Sequence, residues 1–415
     1  MGNNSLKESA SAKSPGNGWL IVFLMLAIAA AIAFVPALNS NVAAGMKALT
    51  AGKGTSAAVN NQIGTIYDTF KYGRSIHILA MLLVGFGFLM VFVRKHGYSS
   101  ITATFLVVSI ALPMYMLIKS HGSGSFAASV INIDTLLMAE FAAASLLIAI
   151  GAPLGRLRME QYFVMALLFI PVYMLNEWLI LESGLFKGFL DTGGSVVIHA
   201  FGAYFGLGVV AGTLSRFENA PGAESDAVSN QFALLGSMIL WLFWPSFTSA
   251  LVAPDRVVLT AINTIFALCG ATVATYIFSR LIRGKIEIAD IANAALAGGV
   301  AIGSICNMTN PGYALCIGLA AGTLSTLGYA VIAPKVEKLI KGSDTCGVHN
   351  LHGMPGVFGG VTGIIVTGAA GVQLIGIVIT ILLAFVGGKI TGLILDLLGT
   401  KTIPYSDEEE FLLSE

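Results

Sequence analysis

The stretch Asp191-Thr-Gly-Gly-Ser-Val-Val-Ile-His199 returns 153 positions later as Asp344-Thr-Cys-Gly-Val-His-Asn-Leu-His352. Both copies read Asp-Thr-x-Gly-x4-His, and both run on to Phe-Gly at the same offset, Phe205-Gly206 and Phe358-Gly359. An acid and a histidine have thus been written twice in a chain that is 56% hydrophobic and only 11% charged, with mean hydropathy +0.84. A soluble domain carries about 25% charged residues. The pairing of a duplicated ionisable motif with so apolar a background points to a membrane protein built from two related halves.

Working outward from the motif, apolar runs long enough to cross a bilayer, which takes roughly 20 residues, fall at 19–37, 75–93, 101–118, 127–151, 162–181 and 193–214. They continue at 230–252, 257–281, 287–306, 312–331, 350–367 and 372–398. These predict an all-α integral membrane protein: eleven transmembrane helices in two inverted five-helix repeats plus a final helix. The segments divide the chain into an N-terminal part at 1–37, an extracytoplasmic connection at 38–73, a membrane domain at 74–400 and a tail at 401–415. The repeats run over about 74–214 and 228–370, and the last helix over 372–399. Residues 1–37 hold either a signal peptide, with Val35-Pro36-Ala37 as a small-residue cleavage site, or an extra helix. Basic residues favour one face. Arg94, Lys95, Arg156, Arg158, Arg216, Arg280, Arg283, Lys285, Lys335, Lys338 and Lys341 lie in alternate loops, which the positive-inside rule makes cytoplasmic. The C-terminus is then cytoplasmic, the membrane being the cell's inner or plasma membrane, and the acidic run Asp407–Glu410 reads as a solvated end.

Five helices per half is odd, so the second half is inverted, and inverted repeats place their site near the midplane between the halves. His199 and His352 each lie eight residues past their acid, about 12 Å along a helix, hence deep in the bilayer. Polar groups at such depth line a pathway or meet a partner, and two neutral imidazoles can share one N–H···N bond. Asp191 and Asp344 each stand near a helix N-terminus, as caps, as functional acids, or as both. Asp134, Glu140, Glu177, Asp290 and Asn293 are further intramembrane polar residues, and Glu140 and Glu177 either face a vestibule or pair locally. In the aromatic cluster Trp241–Phe247, Pro245 is expected to break the helical pattern. Net charge is zero, with 22 basic and 22 acidic residues, so nothing suggests nucleic acid. There is no Gly-x4-Gly-Lys-[Ser/Thr] loop for ATP, and the four cysteines show no disulfide framework. Cys346-x2-His349-x2-His352 admits a metal-dependent membrane enzyme as a reading of a different class.

The longer motifs identify a resemblance. Asp344-Thr-Cys-Gly-Val-His-Asn-Leu-His-Gly-Met-Pro-Gly356 looks like the signature of the Rh (Rhesus) glycoprotein branch of the ammonium transporter superfamily, and Ile198–Leu207 resembles its partner motif. Val84–Met90, Asn176-Glu177, Trp244-Pro-Ser-Phe247 and Leu296–Val300 add to it, over about residues 72–405. The resemblance implies a homotrimer with one narrow hydrophobic pore per subunit and no enzyme activity or cofactor. The pore histidines would be His199 and His352, the stacked vestibule gate Phe141 and Phe247, and the recruitment or helix-cap acids Asp191, Asp344 and Glu177. The implied substrate is ammonia drawn from ammonium, with carbon dioxide or methylammonium as further solutes. Two departures stand out: Glu140 occupies the position before the first gate Phe where animal members carry Asp, and Leu251 lies four past Phe247 where the other branch carries a Ser near its second gate Phe. Since a bare cation is far costlier to desolvate than neutral ammonia, this favours a channel for the neutral base. An electrogenic ammonium transporter and a carbon dioxide channel are the alternatives.

Overall fold

The computed structural model describes residues 56–122, 131–213, 224–399 and 405–412. Chain packing divides it into Met1–Phe70 and Lys71–Glu415. The expected N-terminal segment at 1–37 and the first half of the connection at 38–73 lie outside the described residues, while the second half is the start of a helix, Ser56–Ala80. Those residues are helical, with no strand among them. Among the described residues ten helices are long and apolar enough to cross a membrane. They are α1 (Gln62–Phe92), α2 (Gly97–Ser120), α3 (Ile133–Gly151), α4 (Met159–Glu182), α5 (Ser195–Gly212), α6 (Ala227–Thr248), α7 (Pro254–Arg283), α8 (Ile288–Ile305), α9 (Pro311–Ile340) and, closing the bundle, Ala370–Leu397. Between the last two lies α10, a π turn His349–Gly353 running into Met354–Thr367. Its polar opening, His349-Asn-Leu-His-Gly, accounts for its absence from a count made on length and apolarity. Ala370–Leu397 is α11 and the short tail helix Asp407–Glu410 is α12.

The packing of the first five helices is repeated by the next five. Helix α2 packs on α3 and α4, and α7 packs on α8 and α9; α3 packs on α5, and α8 on α10; α1 and α6 pack on each other. The two motif turns match in detail. Gly194 N–H donates to Asp191 O (3.1 Å) and Gly347 N–H to Asp344 O (2.9 Å), with the glycines left-handed at φ 76° and 66°. A side chain at either is excluded twice, by conformation and by space. An added Cβ would lie 2.2 Å from the Ile198 side chain in one copy and 2.2 Å from the Tyr329 ring in the other. Each turn then docks its backbone on a helix end of the opposite half. Thr192 and Gly193 N–H donate to Ser304 and Gly303 carbonyls, and Thr345 and Cys346 N–H donate to Ala152 and Gly151 carbonyls.

Two expectations are corrected. Pro245 does not break α6, which continues to Thr248; packing and the hydroxyls of Thr248 and Ser249, both bonded to the Pro245 carbonyl, hold the last turn. Nor is the acidic tail simply solvated. Asp407 is buried, and its carboxylate accepts from Tyr98 N–H (3.0 Å), Ser99 N–H (2.9 Å) and the Ser99 hydroxyl (2.7 Å), capping α2 from across the chain. Tyr405 N–H donates to Gly155 O and Asp407 N–H to Lys95 O, both at 2.8 Å, so the tail straps the 93–99 and 151–158 turns together.

Candidate pore site

Both histidines sit on π-helical segments, Ser195–Ala200 and His349–Gly353. A π turn widens the helix by one residue and is found mostly where function demands an unusual side-chain direction. Here the two wide turns contact each other and bring His199 Nδ1 to 3.2 Å from His352 Nδ1, the rings near-parallel at 8° with centroids 5.3 Å apart. In that bond one Nδ1 donates and the other accepts. Both residues are buried, at 3% and 4% exposure.

An aromatic ladder continues from the pair. Phe247 lies 5.9 Å from His199 and 4.7 Å from Phe141, with both phenylalanines buried. Trp244 stacks on His199 at 5.5 Å and 20°, and Phe86 stacks on His352 at 6.5 Å. Amid these apolar faces, His199 Nε2 and Trp244 Nε1 are buried without a protein partner. Trp244 fits because position 299 is glycine: a Cβ there would fall 2.5 Å from the indole ring. Beyond His352 a cavity of about 20 Å³ is lined by Phe86, Leu147, Ile148, Leu351 and His352 among others, roughly the room of one or two small molecules.

The acids take separate places. Asp191 accepts from Val196 N–H (3.0 Å), Val197 N–H (2.8 Å) and the Ser304 hydroxyl (2.6 Å), and Asp344 from Val348 and His349 N–H, both at 2.9 Å. Both are bonded as helix caps. Burial nevertheless pushes the Asp344 carboxyl up to about 6, against the pull of those two amides. Glu177 is buried and accepts from the Tyr115 hydroxyl. Glu140, beside Phe141, accepts from Ser75 (2.6 Å) on one oxygen while the other has no partner. Asp134 pairs with Lys71 at 2.6 Å and Asp290 with Arg283 at 2.9 Å. Leu251 lies past the end of α6, in the turn before Pro254, and not on a helical turn above Phe247. Cys346, His349 and His352 do not gather: among the described residues no three His, Cys, Asp or Glu side chains could hold a metal ion. Trp244 and Phe86 lay inside quoted motifs, yet their stacking on the histidines left no local signal.

Residues 26–412 match the model of the Ammonium Transporter Family. This chain belongs to that family. Its relatives put it in the Rh branch. It is 40% identical to ammonium transporter Rh type A of Mus musculus, covering 83% of this chain and 80% of that protein. It is 38% identical to Rh type B of Homo sapiens, over 79% and 78%. Among solved structures, Rh50 of Nitrosomonas europaea, described as one of the Rhesus protein family of channels, is 53% identical with TM-score 0.80, covering 84% of this chain and 93% of that one. A sensor Amt protein, 22% identical with TM-score 0.71, shares the fold. Members of this family and of its Rh branch are ammonium transporters or channels, and the apolar helices make this chain a multi-pass membrane protein.

Proposed function

We propose that this chain is a passive channel for neutral ammonia. Ammonium gives up its proton to water, forming ammonia and hydronium, at a vestibule bordered by Glu177 and closed by Phe141 and Phe247, and the free base passes His199 and His352 in single file. The observation that carries the reading is the 3.2 Å bond between two buried imidazoles inside an aromatic ladder. A bare ammonium ion in such surroundings would lose its hydration for almost no acceptors, a cost idealised as tens of kcal/mol, whereas neutral ammonia forfeits a few hydrogen bonds. The two open nitrogens, on His199 and Trp244, are what a small polar guest could bond on the way.

In this reading eleven helices span the inner or plasma membrane as two oppositely oriented five-helix halves with α11 added. The C-terminus is cytoplasmic, and three copies assemble with a pore in each. Reconstituted wild-type protein should carry ammonia flux with little net current, and His199→Ala with His352→Ala should slow that flux while the protein stays folded. Large saturable currents lost in the double variant would overturn the neutral reading in favour of electrogenic ammonium transport. Acidification driven by carbon dioxide, with no ammonia flux, would overturn it in favour of a carbon dioxide channel.

A further inference from the structure

Past the small cavity below His352 the path opens again. Phe92, Asn293 and Cys346 line both that cavity and a second one of about 170 Å³, so these three form the neck between them. The larger chamber is lined by Asn230, Asn293, Asp344, Asn350 and Tyr329, and among the described residues no lysine, arginine or histidine borders it. Several of its polar groups present acceptors. The Asn350 oxygen is buried without a hydrogen bond, in a residue 1% exposed. Asn293 Nδ2 donates back to Ala289 O at 2.9 Å, which leaves its oxygen as the freer end. Asp344 contributes a carboxylate and offsets the positive end of α10. Tyr329 spends its hydroxyl proton on the Cys346 and Gly347 carbonyls (3.0 and 3.1 Å), and so offers no donor to a guest. Arg283, on the neighbouring helix, has its charge held by Asp290 through two hydrogen bonds.

We propose that this chamber is a resting site for a small monovalent cation, ammonium above all, held by the oxygens of Asn293, Asn350 and Asp344. The proposal rests on the ammonia-channel reading, because the neck is where a neutral base would leave the dry path. There the nitrogen lone pair takes a proton from hydronium in the chamber, giving ammonium and water, and the ion is held by acceptors that the aromatic ladder lacks.

Thallous ion, close to ammonium in size and visible by anomalous scattering, is the probe. Crystals of the full chain soaked in a thallous salt should show a peak between Asn293 and Asn350 that added ammonium displaces. Asn293→Leu should weaken thallous binding about tenfold, a loss on the scale of one polar contact to a charged group, and Asn293→Asp should strengthen it. Water alone in the chamber, at a concentration that labels other sites, would overturn the proposal. So would a peak that neither ammonium nor the Asn293 variants move. Ammonia flux through the same preparation separates the two readings. A missing peak with flux intact removes the site alone, whereas a displaceable peak without flux keeps the site and removes the channel.

Discussion

At the scale of single residues, the histidine pair was legible because the repeat marked it: two ionisable groups at one offset in two halves have few reasons to exist apart. Its surroundings were not. Trp244 reaches His199 only because Gly299, 55 positions on, leaves room for the indole, and no local pattern encodes a space. Gly299→Ala is therefore expected to be destabilising. Overpacking of about 1–3 kcal/mol exceeds the roughly 0.5–1 kcal/mol gained by removing a helical glycine, and thermal melting with intrinsic tryptophan emission checks it. The motif acids read as caps or as functional groups from sequence, and their bonds are those of caps. Asp191→Ala should thus lower stability by about 0.5–2 kcal/mol, more than Asp191→Asn, in a melting series on purified protein. If Asp191→Ala instead left melting unchanged and altered ammonium capture, the cap would be incidental.

At the scale of elements, long apolar runs located the spanning helices, since hydrophobic length is a strong local signal, but not all their ends: α1 begins at Gln62 and α9 runs on to Ile340, beyond the apolar runs at 75–93 and 312–331. The tail was misread for the opposite reason: four consecutive acids resemble a solvated end, and the amides that Asp407 caps lie 308 residues away in sequence. That strap carries a pH dependence through His96, which is fully buried where the strap crosses. Burial pulls its imidazole down to about 4, against Asp407 and the Tyr405 backbone, which act to raise it. The folded form thus binds a proton less readily than the unfolded form, near 6.5. Stability contributed by neutral His96 is complete above about 6.5 and is lost as pH falls toward 4. The strap should loosen by on the order of 2–3 kcal/mol across that window. Hydrogen-exchange protection at residues 405–411, corrected for the chemical rate, should fall between pH 7 and pH 5, and His96→Gln should flatten the change. A second element contact is equally specific: Gly208 and Gly212 of α5 face Gly388 and Gly392 of α11. A Cβ at Gly388 would fall 2.0 Å from the Phe205 carbonyl. Close backbone approach through small residues is how helices associate in lipid, so Gly388→Leu should separate α11 from α5 and lower the yield of folded protein on size-exclusion chromatography.

At the scale of the whole molecule, the duplication was visible as a spaced motif, but the way the halves grip each other was not. Each motif turn bonds to a helix end of the other half, through Gly303 and Ser304 in one direction and Gly151 and Ala152 in the other. Neither half should be stable alone: residues 1–222 and 223–415 expressed apart are expected to be degraded, and expressed together to recover ammonia flux. Recovery by one fragment alone would show the grip to be dispensable.

The same exchange bears on how the chain is made. The Asp191 carboxylate receives the Ser304 hydroxyl across a separation of 113 residues. At 5–20 residues per second of synthesis that is roughly 6–23 s, during which the first histidine turn is already in the bilayer with its acid short of a partner. Whatever inserts this protein must shelter an incomplete, polar half-pore for that interval, so the ribosome's pace between Asp191 and Ser304 becomes a determinant of yield that no property of the finished channel would reveal.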